Sequence, residues 1–188
     1  MSQTILDLIR AGRLDAELGA LLWLLVLNRV PVHVATQTDE AGSVAEAVRQ
    51  LAADPALVTD GPGVRIEDVL RQPVPLRPAT GAIVVLDGSD RVASAHLLRP
   101  PLRDGAGHVR PQGPAVLAFR LEAEDRLEHF AWGVMPELAA GMDRKAGDVE
   151  AELEERAAWL GGMVSSGPSD PDAVVLALRS WSRPVRTS

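Results

Sequence analysis

Hydrophobic residues in the N-terminal part of the chain follow helical spacing, then strand spacing, then helical spacing again. The pattern predicts four elements: a short helix at 4–11, a longer helix at 14–28, a strand at 31–36 and a helix at 43–53. Ser2 is positioned to cap the first helix, and Gly12 to end it. In the second helix the apolar positions run almost all the way round after Leu18, so we expect this helix to be covered on most sides.

The rest of the sequence predicts two β-hairpins and C-terminal helices. The expected elements are strands at 83–87 and 91–98 joined by the turn 88–90, strands at 115–121 and 126–132 joined by the turn 122–125, helices at 136–141 and 148–160, and a late strand at 173–178. Gly161-Gly162 is expected to end the helix at 148–160. Residues 54–81 carry five prolines and predict a connector with a short helical candidate at 66–71.

The strand at 31–36 is followed by a short loop and a helix, which is the order of elements in a phosphate-binding loop. Residues 36–43 contain one glycine, no lysine and two carboxylates, Asp39 and Glu40. A Walker loop needs glycines so that backbone N–H groups can surround the phosphates, and a lysine to balance their charge. Ser43 and Glu46 instead have the spacing of a capping box. The sequence therefore has the layout of a nucleotide site without the residues that bind a nucleotide.

Composition narrows the possible partners. The chain has 188 residues, enough for one domain with a substantial core, and a formal net charge of -7. This charge opposes nonspecific binding to nucleic acid or to an anionic membrane. There is no cysteine, which excludes disulfides and thiolate zinc sites, and the longest apolar run is too short to cross a bilayer. We therefore expect a cytoplasmic protein that neither binds nucleic acid nor inserts into a membrane.

Several stretches of the chain resemble one group of known proteins. Residues 6–26 followed by 30–35 resemble the approach to the phosphate loop in bacterial type II/IV secretion ATPases and related P-loop proteins, and residues 90–101, 113–119 and 129–133 resemble the part that follows their ATPase core. In that family the loop is glycine-rich and ends in Lys-Thr or Lys-Ser. Here Gly42 stands at the place of the lysine and Ser43 at that of the magnesium-binding hydroxyl. The resemblance implies a shortened, degenerate relative that does not hydrolyse ATP.

Other candidate chemistry has a simpler structural interpretation. Ile83 to Asp87 has the form of a Walker B strand, but Asp87-Gly88 also fits a hairpin turn. Gly162 to Gly167 lacks the glycine that a nucleophile elbow places two residues before its serine. The glutamates at 150, 152, 154 and 155 fit a solvated helix face. The histidines lack a short metal-ligand spacing; they are His33, His96, His108 and His129. We predict no catalytic residue, no metal site and no cofactor.

Two groups of arginines remain as candidate binding residues. One group surrounds a loop rich in proline and glycine and could bind an anion; its members are Arg99, Arg103 and Arg110. The other lies at the C-terminus, where Trp181 stands between Arg179 and Arg183. An exposed tryptophan between arginines would suit a contact with a partner.

The sequence thus predicts a mixed α/β domain at 1–180 and a loosely ordered tail at 181–188. The domain would contain an N-terminal helix pair, a P-loop-like strand-loop-helix, two β-hairpins and C-terminal helices. The first functional hypothesis is a non-catalytic protein derived from a P-loop ATPase, which serves as an interaction or scaffold module in a homo-oligomer or with a protein partner. The second is a nucleotide- or phosphate-binding protein that uses Gly42, Ser43 and the helix N-terminus behind them. The third is an unrelated α/β fold, favoured if the strand at 31–36 has no parallel neighbour.

Overall fold

The computed structural model describes residues 3–36, 42–62, 81–99, 102–110, 112–121 and 126–181, apart from the side chain of Arg126. It confirms the mixed α/β fold. The helices in these ranges are α1 (Ile5–Arg10), α2 (Ala16–Leu27), α3 (Ser43–Leu51), α4 (Met135–Gly141), α5 (Ala146–Ser166) and α6 (Pro171–Ser180). The strands are β1 (Val32–Thr36), β2 (Val58–Pro62), β3 (Gly81–Leu86), β4 (Val92–Leu98), β5 (Leu102–Arg103), β6 (Val109–Arg110), β7 (Ala115–Leu121) and β8 (Arg126–His129).

Six strands form one mixed sheet in the order β2-β1-β3-β4-β7-β8, and β5 and β6 form a separate ribbon. Strand β1 is parallel to both of its neighbours, with Val34 opposite Asp60 on β2 and Val84 on β3. The other pairs in the large sheet are antiparallel. The two hairpins β3-β4 and β7-β8 therefore confirm the sequence prediction. The third hypothesis was favoured if the strand at 31–36 had no parallel neighbour. Strand β1 has two parallel neighbours, so this observation does not favour it.

Helix α2 lies at the centre of the core. Every residue from Leu18 to Val26 is buried, which confirms that this helix is covered on most sides. Gly19 allows close packing here, because a Cβ at this position would lie 3.2 Å from Ile9 Cδ1 and 3.4 Å from Leu160 Cδ1. Residues from the helices and from one face of the sheet form a single apolar cluster. The alternate residues of β1 and β3 point to the other face, where Ala35 and Val85 form a small second cluster.

Strand β2 lies within the proline-rich segment that was expected to be a connector, so that prediction is wrong for residues 58–62. The strand is held on both sides. It pairs with β1 along its whole length, and Arg49 of α3 donates from Nε to the backbone oxygen of Val58 at 3.3 Å and contacts the Asp60 carboxylate. These long-range contacts are not visible in local sequence patterns. The helical candidate at 66–71 and the predicted turn at 122–125 lie outside the described residues.

The C-terminal region contains more helix than the sequence predicts. Helix α5 continues through Gly161 and Gly162 to Ser166, and residues 173–178 belong to α6 rather than to a strand. Helix α6 begins at Pro171, and the Asp170 carboxylate accepts a hydrogen bond from the Ala173 N–H at 3.0 Å. The second hairpin is also shorter, since β8 ends at His129 and residues 131–134 form a 3-10 turn. Among the described helices, none is long and apolar enough to span a membrane.

Alanine at Gly161 or Gly162 should raise the free energy of unfolding by about 0.5–1 kcal/mol each. Both residues lie inside α5, and a Cβ at either position would meet no atom within 4 Å beyond its chain neighbours and the adjacent helix backbone. Urea denaturation of the single variants measures the change. Gly167→Ala is the matched control and should destabilise, because its Cβ would lie 2.5 Å from the Met163 backbone oxygen. No gain from either substitution would indicate a helix that ends at Leu160.

Candidate functional site

The N-terminus of α3 is the position at which a P-loop-like unit would hold a phosphate, and a carboxylate of the chain occupies it. Asp90, from the turn between β3 and β4, accepts a hydrogen bond from the Ser43 N–H at 3.2 Å through Oδ2. The Ser43 hydroxyl contacts the same oxygen. Helix N-termini attract anions because their first N–H groups have no partner within the helix and carry partial positive charge. Asp90 therefore fills the anion position from within the protein.

Arg13 balances the charge of this carboxylate. Its Nη1 lies 2.7 Å from Asp90 Oδ2 and also contacts the Ser43 hydroxyl. The backbone oxygen of Arg13 accepts a hydrogen bond from the Val92 N–H at 2.9 Å, which fixes the segment before α2 to the start of β4. We call Arg13, Ser43 and Asp90 the capping cluster. It joins three parts of the chain: the α1-α2 connection, the start of α3 and the β3-β4 turn.

Gly42 has a steric role beside this cluster. A Cβ at this position would lie 2.8 Å from Asp90 Oδ1 and 3.0 Å from Leu86 Cδ1, so a larger residue would displace one of them. A lysine at position 42 is therefore incompatible with the present position of Asp90. Gly42 is also the N-cap residue and Ser43 the first residue of α3, and no side chain of the helix itself caps it. The predicted capping box of Ser43 and Glu46 is wrong because Asp90 supplies the cap.

Asp87, the candidate Walker B acid, is part of a turn. Its Oδ1 accepts hydrogen bonds from the Ser89 N–H at 2.8 Å, the Ser89 hydroxyl at 2.8 Å and the Arg91 N–H at 3.1 Å. Burial raises the pKa of Asp87, but these hydrogen bonds outweigh burial and leave its pKa below the ordinary value. The same turn holds Asp90 at a φ of 57°, a left-handed conformation that Asp tolerates better than most residues. The hairpin interpretation of Asp87-Gly88 is confirmed.

The four histidines lie apart and take different partners. The contacts are His33 Nδ1 to the Thr59 hydroxyl at 2.9 Å, His96 Nε2 to the Ser94 hydroxyl at 2.9 Å, His108 Nδ1 to Asp104 at 3.1 Å and His129 Nδ1 to Glu17 at 2.7 Å. Burial lowers the pKa of His33 and of His96. Within the described ranges, no three His, Asp or Glu side chains are placed to hold a metal ion.

His129 and Glu17 border a cleft of about 490 Å³ between the start of α2 and strand β8. Asp15 also lines this cleft and caps α2, where it accepts the Leu18 N–H at 2.7 Å. Burial raises the pKa of the Asp15 carboxyl, although the Leu18 N–H and the nearby His129 act in the opposite direction. The described lining contains no hydroxyl nucleophile that the histidine could activate. Sequence reasoning missed this group because its members are distant along the chain.

The arginines around the proline- and glycine-rich loop do not form one anion site. Arg99 makes two hydrogen bonds to the Glu137 carboxylate, at 2.8 and 3.2 Å. Arg103 and Arg110 lie on the exposed ribbon of β5 and β6, where Arg103 pairs with Val109 and Arg110 with Leu102.

Trp181 is not the freely exposed side chain that the sequence predicts. Its ring packs edge-on against Trp23, with centroids 5.6 Å apart, and the Arg156 guanidinium lies 4.0 Å from its centroid. Trp159 also packs against Trp23, with ring centroids 5.7 Å apart. Trp181 is half-buried by these contacts, and its role as a partner contact stays a prediction. Arg179 is exposed, and Arg183 lies outside the described residues.

Arg156 is a buried cation. It is 5% exposed, and its Cζ lies 4.1 Å from the ring centroid of Trp23 and 4.0 Å from that of Trp181. Its Nε and Nη2 donate to Glu152 Oε1 at 2.9 and 2.7 Å, and Arg144 donates to Glu152 Oε2 at 2.8 Å. Burial lowers the pKa of Arg156. Burial also raises the pKa of Glu152, but the hydrogen bonds and charges of Arg156 and Arg144 outweigh burial and leave that pKa below its ordinary value. Glu152 is thus an ion-pair residue rather than part of a solvated face.

Asp90→Asn should lower the free energy of unfolding by about 1–2 kcal/mol, because it removes the charge that caps α3 and pairs with Arg13. Asparagine tolerates the same backbone conformation, so the change isolates the charge. Asp143→Asn is the matched control: Asp143 also has a positive φ of 55° but is exposed and caps no helix, and we expect a change within about 0.5 kcal/mol. Equal effects in urea denaturation would show that the capping cluster contributes no specific stability.

Comparison with known proteins adds no relative from which a role could be transferred. The sequence matches no protein-family model and no curated protein.

Proposed function

We propose that this chain is a non-catalytic interaction or scaffold module derived from a P-loop ATPase, in which the strand-loop-helix unit stabilises the fold instead of binding a nucleotide. The observation that carries the proposal is the Asp90 carboxylate at the N-terminus of α3. It occupies the position of a phosphate and is already neutralised by Arg13.

The same contacts argue against the nucleotide- or phosphate-binding alternative. A phosphate at this helix would need the Ser43 N–H and hydroxyl, and both are engaged by Asp90. It would also approach a carboxylate, and like charges repel strongly where water is partly excluded. The free energy gained by the phosphate would have to exceed the loss of the ion pair between Arg13 and Asp90.

Exposed aromatic side chains support the interaction role. Phe119 and Phe130 are stacked, with ring centroids 4.8 Å apart and planes at 7°, and Trp132 follows two residues later. Phe130 is 45% exposed and Trp132 is 42% exposed. We call these three residues the aromatic shelf. Aromatic side chains that are held rigidly and left partly exposed are frequent centres of protein interfaces, because they bury a large area at little entropic cost.

Isothermal titration calorimetry with Mg-ATP and Mg-ADP should give no saturable heat with the wild-type chain at ligand concentrations up to about 1 mM. The reason is that the anion position at α3 is filled by Asp90. Ser43→Ala is the companion variant. Saturable binding by the wild type that is lost in Ser43→Ala would contradict the proposal and support the nucleotide-binding alternative.

Sedimentation velocity over a range of concentrations tests the interaction role in its homo-oligomeric form. We expect wild-type self-association that a Phe130→Ser, Trp132→Ser double variant weakens at least about tenfold, since the shelf would supply the main apolar contacts. Leu176→Ser is the matched control, because Leu176 is 69% exposed but lies on α6 away from the shelf. Equal association by all three proteins would exclude the shelf as the interface, and a monomeric wild type would exclude the homo-oligomer.

A further inference from the structure

The ribbon of β5 and β6 is exposed along most of its length and pairs with no other described strand. Its two large apolar side chains are Leu102, which is 57% exposed, and Val109, which is 40% exposed. A two-stranded ribbon on its own is only marginally stable in water, because its apolar side chains have little to pack against. The ribbon is therefore suited to a surface that another molecule supplies.

Each face of the ribbon combines an arginine with an apolar side chain. Leu102 is opposite Arg110 in the antiparallel pair, and Arg103 is opposite Val109. Residues that are directly opposite one another share a face, so each face carries one cation and one apolar group. Both arginines are exposed. A surface that accepts either face should thus offer apolar area next to negative charge.

The aromatic shelf has negative charge beside it. Glu128 is directly opposite Phe119 in the β7-β8 pair, so both lie on the same face of the sheet. The rings of Trp132 and His129 have centroids 6.4 Å apart, and His129 lines the cleft beside β8 together with the carboxylates of Glu17 and Glu128. Among the described residues that line this cleft, none is a lysine or an arginine. The shelf therefore offers what the ribbon needs.

Most of the exposed apolar side chains belong to these two surfaces. The large apolar side chains exposed in the described ranges are Leu27, Leu102, Val109, Phe130, Trp132 and Leu176, and all but the first and the last lie on the ribbon or the shelf. Since these side chains are exposed in the single chain, the ribbon does not cover the shelf of its own chain. A two-fold axis would allow each of two copies to place its ribbon on the shelf of the other.

Charge favours this contact over one in which two shelves meet. The net charge of -7 on each copy opposes self-association, so an interface must pair opposite charges locally. Two shelves in contact would bring the two Glu128 carboxylates near one another and add to the repulsion. A ribbon on a shelf instead places an arginine near a carboxylate.

We propose that two copies of this chain associate about a two-fold axis, with the ribbon of each copy on the aromatic shelf of the other. The arginines of the ribbon lie near Glu128 of the second copy, and the apolar side chains of the ribbon pack on Phe130 and Trp132 of the second copy. This inference rests on the proposed interaction role, because it names a second copy of the chain as the partner that covers the shelf.

An exchange of charges, followed by sedimentation velocity, tests the pairing. The ribbon variant is Arg103→Glu, Arg110→Glu, and the shelf variant is Glu128→Lys. Like charges would meet in each variant alone, so each should self-associate at least about tenfold more weakly than the wild type. In an equimolar mixture opposite charges meet again at both contacts, and we expect association within about threefold of the wild type.

Glu154→Lys is the matched control, because it reverses an exposed charge on α5. It should self-associate like the wild type and should not restore association when mixed with the ribbon variant. A second ribbon variant, Leu102→Ser, Val109→Ser, leaves the charges unchanged and should weaken self-association as much as Phe130→Ser, Trp132→Ser does.

The outcomes separate this inference from the interaction role on which it rests. Wild-type self-association that both ribbon variants retain, or a mixture that associates no better than its components, would overturn the ribbon-shelf contact and leave the shelf as an interface. A monomeric wild type would overturn the contact and the homo-oligomer together, and would leave only a module that binds a different protein.

Discussion

The backbone N–H groups at the start of α3 need an acceptor, and the way in which this chain provides one determines how its parts fit together. Asp90 reaches them from the β3-β4 turn, and Arg13 reaches Asp90 from the segment before α2. One carboxylate thus links the N-terminal helix pair, the parallel half of the sheet and the first hairpin. Asp90 can do so only because the β3-β4 turn accepts a positive φ and because Gly42 leaves room for its side chain.

The capping of α3 by Asp90 bears on whether this helix N-terminus can bind a phosphate. A phosphate-binding loop keeps the helix N-terminus open, with glycines and a lysine arranged around a vacant anion position. Here the anion belongs to the protein, its counter-charge is present, and a side chain at position 42 would meet Asp90. The start of α3 thus holds a carboxylate of the chain through the same electrostatics that other proteins use to bind anions. The aromatic shelf, which suggests contacts with other molecules, lies on other elements.

The sequence predicted those helices and turns that are determined by residues close together in the chain. The nearly continuous apolar surface of α2 predicted its burial, and Asp87-Gly88 predicted the first hairpin turn. The pattern failed where distant residues decide the structure. Strand β2 is held by β1 and Arg49, and the segment 173–178 is helical because Asp170 and Pro171 start a helix before it. The glycine pair at 161–162 did not end α5, since glycine stops a helix only where the tertiary structure favours a stop.

The candidate site was less predictable than the fold for the same reason. The sequence directed attention to Gly42 and Ser43, and the structure places both at the expected junction, but the decisive partners come from positions 13 and 90. Asp90 could have been identified as an acidic residue in the tight turn after β3, because β3 is parallel to β1. Arg156 carried no such signal, because an arginine one helical turn after a glutamate is typical of an exposed ion pair. Only the three-dimensional structure shows that Arg156 is buried and lies against Trp181.

The most direct test of this account is the amide signal of Ser43 in ¹⁵N-¹H NMR spectra, recorded with increasing pyrophosphate. The account predicts that this signal does not respond to pyrophosphate, because Asp90 already accepts the hydrogen bond of the Ser43 N–H. A Ser43 signal that shifts saturably with pyrophosphate in the wild type would contradict it.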